Sequence, residues 1–512
     1  MIKFNTSIRS SYKRINKIGL IVGPLIFAII FIIDIDTFLS YEAKIVLATT
    51  LWMSIWWITE AIPIYVTSLI PLIIFPTLSI TDLGETSLSY VDRIIFLFLG
   101  GFILAKAIEV TKLHNRFALN ILSLIGTKPK NIIAGFIIVT SFLSAWMSNT
   151  ATAMLMIPIA FSIILQIKKS NERDNFAVCL LLAIAYSASI GGMATLIGTP
   201  PNAIFASLAS ELANVEVSFF KWMIIAMPIS AISLFILWFY LVNVGSKIKN
   251  NFSIGEKHLI SQKLKSLGKL NFDEKVVILI FSITAIAWIT RGIIWGDFFP
   301  MIDDTTIVLV TVLTLFIIPS RILKTKINED NDNNENNDKF ERDVEVSKKQ
   351  PTRKTILDWN DAIKIPWGVL LLIGGGLALA DAFEKSGLDK FIANNLSFLK
   401  NIPIFIIILI IVFVTIIASE ILSNTATAAL FIPIAFSLSQ TLSIDPFLLM
   451  VPIAIATSYG FIMPVGTPPN AIVFSTGHVT TRKMFKAGLP LDMIGVIIVS
   501  LFTTILLQLV WK

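Results

Sequence analysis

The chain has 512 residues, 55% of them hydrophobic and only 15% charged, with a mean hydropathy of +0.80 and a formal charge of +7. A soluble chain of this length carries roughly 25% charged residues, so the deficit excludes an ordinary water-soluble globule. The positive charge would suggest a nucleic-acid partner in a soluble protein; here it sits in short loops and reads as membrane topology, with no nucleic-acid partner expected.

Apolar runs of about 18 or more residues, each long enough to cross a bilayer core about 30 Å thick, begin near Ile18, Ile94, Phe176, Phe219, Val276, Thr305, Trp367, Ile404, Phe447 and Leu489. With no water to satisfy an open backbone, such runs must be helical. Lys3, Arg9, Lys13, Arg14 and Lys17 precede the first run, which continues to Ile33 without a small-residue cleavage site, so it reads as an uncleaved first helix. Trp52, Trp56 and Trp57 then suggest an interfacial belt.

Basic loops follow at 106–130 (Lys106, Lys112, Arg116, Lys128, Lys130), 167–173 and 246–275, the last with seven lysines. Placing these inside puts the acidic connections Asp34/Asp36 and Asp297/Asp303/Asp304 outside. The expected location is a bacterial cytoplasmic (inner) membrane, with the N-terminus inside and the C-terminus outside. Cys179, the single cysteine, excludes an intramolecular disulfide and reads as a packed small hydrophobe. The Asn/Asp/Glu-rich segment 325–356 is expected to be a disordered cytoplasmic insert. His114, His258 and His478 lie in or beside basic loops and read as solvated.

The chain repeats itself. SNTATAMLMIPIAFSI (148–163) and SNTATAALFIPIAFSL (423–438) share 13 of 16 residues at an offset of 275. GGFILAKAIE (100–109) and GGLALADAFE (375–384) keep that offset, and GTPPNAI recurs at 198–204 and 466–472. Glu109 and Glu384 occupy matching repeat positions at span ends, where snorkelling or capping is the default reading. Counting spans makes the first SNT segment enter from the cytoplasm and the second from outside, so the halves are inverted. Inverted repeats with a site at broken helices near the midplane are a secondary-transporter architecture.

Polar Ser-Asn-Thr within an apolar run must find partners. Its segment, 132–167, has basic residues at both ends, which suits a re-entrant hairpin with SNT at its tip better than one straight helix; interhelical packing by Ser/Thr is the alternative. Such a tip offers amides, hydroxyls and an amide side chain to a carboxylate. In GTPPN, two prolines break the helix and free carbonyls for a monovalent cation, unless the kink is only structural. HExxH, GxSxG, GxxxxGKS and GxGxxG do not occur, which argues against an enzyme.

These motifs resemble those of the divalent anion/sodium symporter family, over essentially the whole chain. The resemblance implies an all-α polytopic membrane protein of about eleven spans plus two re-entrant hairpins. It also implies an inverted repeat, a homodimer and an elevator movement. Scaffold helices would occupy 1–125 and 246–385, the transport parts 126–245 and 386–512. Carried over, it puts Ser148, Asn149, Thr150, Thr199 and Pro200, with Ser423, Asn424, Thr425, Thr467 and Pro468, on a dicarboxylate. One sodium would use Ser144, Ser148, Asn149 and the Gly198 carbonyl; its mate would use Ser419, Asn424 and the Gly466 carbonyl.

Sodium ions would be coupling ions, with no other cofactor expected. A dianion at the midplane is costly without compensating charge, and neither motif holds Arg or Lys, which favours cation coupling. The leading expectation is sodium-coupled uptake of a C4 dicarboxylate (succinate, malate or fumarate). A sodium-independent exchanger, or a symporter for citrate or sulfate, comes next. A channel or membrane-embedded enzyme is the remaining reading from another class.

Overall fold

The computed structural model describes residues 6–33, 39–126, 128–167, 170–248, 262, 264–321, 354–395 and 397–511. Lys3, Asp34, Asp36, His258 and 325–353 of the acidic insert lie outside the described residues. The regular secondary structure of the described residues is helical, apart from one isolated bridge between Pro319 and Thr355. Among them, eight helices are long and apolar enough to cross a bilayer, or nine if Leu83–Val110 and Leu113–Ile125, bent by 69°, count as one span. Length and composition undercount here because the chain breaks several crossings: Ile64–Thr77, Asp304–Ile317 and Phe447–Ala456 are each too short alone.

The first SNT segment forms a hairpin. Its arms, Pro129–Ser144 and Asn149–Ile164, are joined through 145–148. The base of the first arm is fixed where Trp238 Nε1 donates to the Lys130 carbonyl (3.1 Å) and Lys130 Nζ to Asn243 Oδ1 (2.8 Å). At that same end Cys179 Sγ lies 3.6 Å from the Leu241 carbonyl. The arm's other end touches Ala188 and Gly191, so it runs parallel to the helix Ser170–Gly192 along its length. The second arm must then return, because Ile164 leads into Ser170 within a few residues. The second hairpin has arms Ile404–Ile421 and Asn424–Leu442.

Each hairpin is followed by a broken helix: Ser170–Gly192 with Pro200–Ala213, and Phe447–Ala456 with Pro468–Ser475. The prolines of GTPPN do not interrupt a helix; they open one, at the positions where a missing N–H costs nothing. The break precedes them. Fully buried Asn202 and Asn470 hold each unwound stretch, donating to the carbonyls of Thr195 (2.7 Å) and Gly460 (2.7 Å).

The halves are inverted. Phe219–Tyr240 and Thr481–Val510 are counterparts, each opened by a hydroxyl N-cap (Ser218, Thr480) and each carrying a proline ten residues past it, Pro228 or Pro490. At one end Tyr240 Oη donates to the Lys486 carbonyl (3.2 Å), while at the other Phe205 packs against both Trp222 and Trp511. The C-terminal end of one thus meets the N-terminal end of the other, so they are antiparallel. Arg116 spans from 106–130 to the 246–275 loop, pairing with Glu274 (3.0 Å) and the Gly268 carbonyl (2.8 Å). At the other end Arg291 joins Glu216 and Asp304, each at 3.2 Å.

Three expectations are corrected. His114 is buried rather than solvated: the sharp turn at Lys112 (φ 59°) folds the next helix back and brings its Nδ1 within 3.1 Å of the Ile108 carbonyl. His478 is exposed as expected. Trp57 belongs to the core, not to an interfacial belt, with Nε1 donating to the Ile64 carbonyl (3.2 Å); Trp52 and Trp56 pack edge to face and are half-buried. The insert ends earlier than composition suggests, because 354–356 pair with 318–320 through backbone bonds such as Ile356 N–H to the Ile318 carbonyl (2.9 Å). Cys179 is fully buried, as a small hydrophobe should be.

Candidate functional site

Each SNT serine is an N-cap. Ser148 Oγ accepts from Ala151 N (3.3 Å) and Ser423 Oγ from Ala426 N (3.1 Å), so both hairpins turn at their serines and aim helix N-termini at the tip. Four residues upstream sits a fully buried serine in each half. Ser144 Oγ lies 2.7 Å from both Asn149 Oδ1 and the Ala188 carbonyl. Ser419 Oγ lies 2.8 Å from Asn424 Oδ1 and 2.7 Å from the Thr457 carbonyl. A hydroxyl has one proton and therefore serves one of these acceptors at a time. Each half thus gathers hydroxyl, amide and carbonyl oxygens with too few donors, which fits a small hard cation. The same arrangement twice, with serines and asparagines 275 residues apart and carbonyls 269 apart, is the structural form of the repeat.

The approach of the unwound loop demands glycine. A Cβ on Gly192 would lie 2.3 Å from Asn149 Oδ1, and one on Gly198 would lie 2.2 Å from the Gly192 carbonyl oxygen. Those collisions mark where backbone must pass close to the asparagine.

Both tips open on one cavity of about 1030 Å³. Ser148, Asn149, Thr150, Gly198, Thr199 and Pro200 line one side; Ser423, Asn424, Thr425, Gly466, Thr467 and Pro468 line the other. Ser144 and Ser419 do not line it; they stand behind their asparagines with no exposure. All fourteen residues singled out in the sequence therefore converge on a single place.

The sequence reading missed the charged groups of the same cavity. Lys106, Glu109, Glu60 and Lys364 also line it. Lys106 Nζ pairs with Glu109 (2.7 Å) and Lys364 Nζ with Asp361 (2.8 Å). Lys106 and Glu109 stand inside the repeated GGFILAKAIE motif, which was the available signal; Glu384, the repeat partner of Glu109, is exposed and lines no part of the cavity. Lys364 carries no motif and is brought in by tertiary packing alone.

Solved structures with this fold include *Neisseria gonorrhoeae* MtrF, described among a class of antimetabolite efflux pumps (TM-score 0.55, 13% identity, 83% of each chain). The *Alcanivorax borkumensis* YdaH transporter is similar at TM-score 0.53 and 11% identity, over 82% of this chain and 86% of that one. At such identities the likeness concerns the fold alone. Among curated relatives, the chain is 39% identical over 507 residues to the sodium-dependent dicarboxylate transporter SdcS of *Staphylococcus saprophyticus*, covering 97% of this chain and 92% of that protein. It is 40% identical over 494 residues to SdcS of *Staphylococcus aureus*, covering 94% and 90%. The family model described as "Sodium:sulfate symporter transmembrane region" matches residues 15–511. With that match and these relatives, the chain belongs to the sodium:sulfate symporter family, the divalent anion/sodium symporters that its paired motifs resemble, and is a multi-pass membrane transporter.

Proposed function

We propose that the protein takes up C4 dicarboxylates such as succinate, malate and fumarate, driven by sodium, across the bacterial cytoplasmic membrane. The observation that carries this reading is the pair of donor-poor oxygen clusters, Ser144–Asn149–Ala188 O and Ser419–Asn424–Thr457 O, standing behind one shared cavity. Sodium in each cluster would complete the oxygens' bonding and turn each asparagine so that Oδ1 faces the cation and Nδ2 faces the cavity. The Gly198 and Gly466 carbonyls would add to the two sites. Two like half-sites suit a molecule with two like anionic ends, one carboxylate at each serine-capped tip, with Thr150, Thr199 and Pro200 and their counterparts Thr425, Thr467 and Pro468 shaping the pocket between.

Sodium matters because a dianion in a low-dielectric site is costly without countercharge. Lys106, Glu109 and Lys364 line the cavity, and an opening beside them would face the cytoplasm if the basic loops lie inside. Transport then requires the hairpins and broken helices to move as a body against the scaffold, an elevator step. A homodimer joined through scaffold helices belongs to the same proposal, and the mass of the detergent-solubilised particle tests it.

The deciding experiment uses purified protein in liposomes with no internal substrate. Succinate uptake should require an inward sodium gradient and vanish when choline replaces sodium. Uptake that needs internal dicarboxylate and ignores sodium would instead establish an exchanger. Competition by citrate and sulfate ranks the remaining anions in the same assay.

A further inference from the structure

The inverted repeat keeps one charged position and reverses its sign. Lys106 and Asp381 are repeat partners, the seventh residues of GGFILAKAIE and GGLALADAFE, 275 residues apart. Each is in a local ion pair: Lys106 Nζ with Glu109 (2.7 Å), and Asp381 with Lys385 Nζ (2.7 Å), which also meets Glu85. Lys106 lines the cavity on which both hairpin tips open, and Asp381 does not. The serines, asparagines, threonines and prolines of the site thus occur twice, whereas this cation of the cavity wall occurs once.

Lys106 belongs to the helix Arg93–Val110, outside both hairpins and both broken helices. That helix touches the first unwound loop: a Cβ on Gly101 would lie 2.9 Å from Ile197 Cγ2, and the next loop residue, Gly198, lines the cavity. Five residues separate Gly101 from Lys106, about 7.5 Å along the axis at 1.5 Å per residue. Side chains on a helix lean back toward its N-terminus, which for Lys106 is the direction of Gly101 and that loop. Glu109, one turn further on, leans back in the same way and meets the ammonium group. The Lys106 side chain is only 14% exposed, against 61% for Lys364, so solvent screens its charge less. An ammonium group has three protons to donate and can serve a second carboxylate beside Glu109.

We propose that Lys106 is a one-sided substrate contact: it holds a carboxylate of the dicarboxylate while the cavity is open to the cytoplasm, and Glu109, by sharing its charge, keeps that contact weak enough for the cargo to leave. This rests on the dicarboxylate transport and elevator movement proposed above, with the basic loops inside. In that movement the hairpin tips travel with Asn149 and Asn424, while Lys106 stays on the scaffold. Once the tips face outside, Lys106 is left behind, and the matching position of the other half holds an acid, Asp381. The two faces of the transporter therefore differ in affinity for a dianion although the tips themselves are near copies.

Counterflow of labelled succinate tests this with the full-length protein in right-side-out and inverted membrane vesicles, with sodium equal on both sides. Lys106→Gln should raise the half-saturating succinate concentration at the cytoplasmic face about tenfold. At the outer face the same variant should stay within about twofold of the unmodified protein. Glu109→Gln should lower the cytoplasmic value about threefold. Lys106→Cys isolates the charge, because the native thiol, Cys179, is fully buried. Aminoethyl methanethiosulfonate gives that variant a cation of near-lysine length and should restore the cytoplasmic value, whereas methyl methanethiosulfonate should not. Equal shifts at the two faces, a shift confined to the outer face, no shift at either, or equal rescue by the two reagents would overturn the assignment. Because sodium is equal throughout, a sodium-independent exchanger still gives a readable result. Unmodified vesicles that exchange no succinate would refute the dicarboxylate reading itself and, with it, the role of Lys106.

Discussion

Asn149 and Asn424 are the residues on which both halves of the chemistry meet. Each presents Oδ1 to a buried serine hydroxyl, Ser144 at 2.7 Å and Ser419 at 2.8 Å, leaving Nδ2 for the cavity. In the proposed site, replacing either by Asp would keep the size and the cation-facing oxygen but remove the donor and place a negative charge against the substrate. Asn149→Asp and Asn424→Asp should each abolish dicarboxylate uptake while the protein still inserts and purifies as a folded particle; normal uptake by one of them would mean that its tip holds no carboxylate. Ser144→Ala acts differently. It removes the hydroxyl that joins Asn149 to Ala188 and, in the proposed sodium site, one cation ligand, a loss of about 1–2 kcal/mol, or about 5–30-fold in affinity. Sodium titrations of uptake should show that shift with little change at saturating sodium. At this scale the sequence was informative because Ser, Asn and Thr are expensive in an apolar run and recur together 275 residues later. Lys364 was illegible for the opposite reason: a lone charged residue near a span end has an ordinary explanation, and only packing shows what it faces.

The first hairpin was legible as an element because basic residues flank 132–167 at both ends, so a single crossing would misplace one of them, and the second followed from the repeat. Other elements were hidden. Tyr41–Thr59 carries Glu42 and Lys44, and its threonines bond back to carbonyls one turn earlier (Thr49 to Ile45 at 2.8 Å, Thr50 to Val46 at 2.7 Å), so hydropathy alone understates it. The bend at Lys112 depends on a left-handed residue that is not glycine, which leaves no composition signal. The close passage of the first unwound loop over the hairpin tip gives an element-scale test. A methyl group at Gly192 would collide with Asn149 Oδ1 at 2.3 Å, inside a fully packed region. Gly192→Ala should therefore displace the asparagine and cost at least tenfold in apparent sodium affinity. Thermal unfolding of the detergent-solubilised variant separates this from collapse: a melting temperature near that of the unmodified protein with lost sodium response supports the geometry.

For the whole molecule, parity of spans revealed the inversion before any coordinates, because each basic loop fixes a side and each crossing flips it. The antiparallel pair Phe219–Tyr240 and Thr481–Val510 is its physical expression. The acidic insert stands apart from that symmetry. Replacing 325–352 by a short Gly/Ser linker leaves the 354–356 pairing with 318–320 in place, so uptake rates should stay within about two-fold.

The last expectation concerns the ionisation of the cargo rather than of the protein. Both half-sites present donors and places for cations, and the cavity's carboxylates, Glu60 and Glu109, lie apart from the two tips in sequence, with Glu109 already paired to Lys106. A tip of this kind gains from a carboxylate and not from a carboxylic acid, whose proton would face Nδ2 hydrogens. Succinate should therefore bind as the dianion. As pH falls below its second ionisation, the dianion fraction drops about tenfold per unit, so the KM for total succinate should rise in proportion while the KM expressed as dianion stays constant. Measured at saturating sodium, this separates substrate protonation from changes in sodium binding. A KM for total succinate that stays flat well below that ionisation, in protein that remains folded, would show that the monoanion is carried and that one of the two tips is not a carboxylate site.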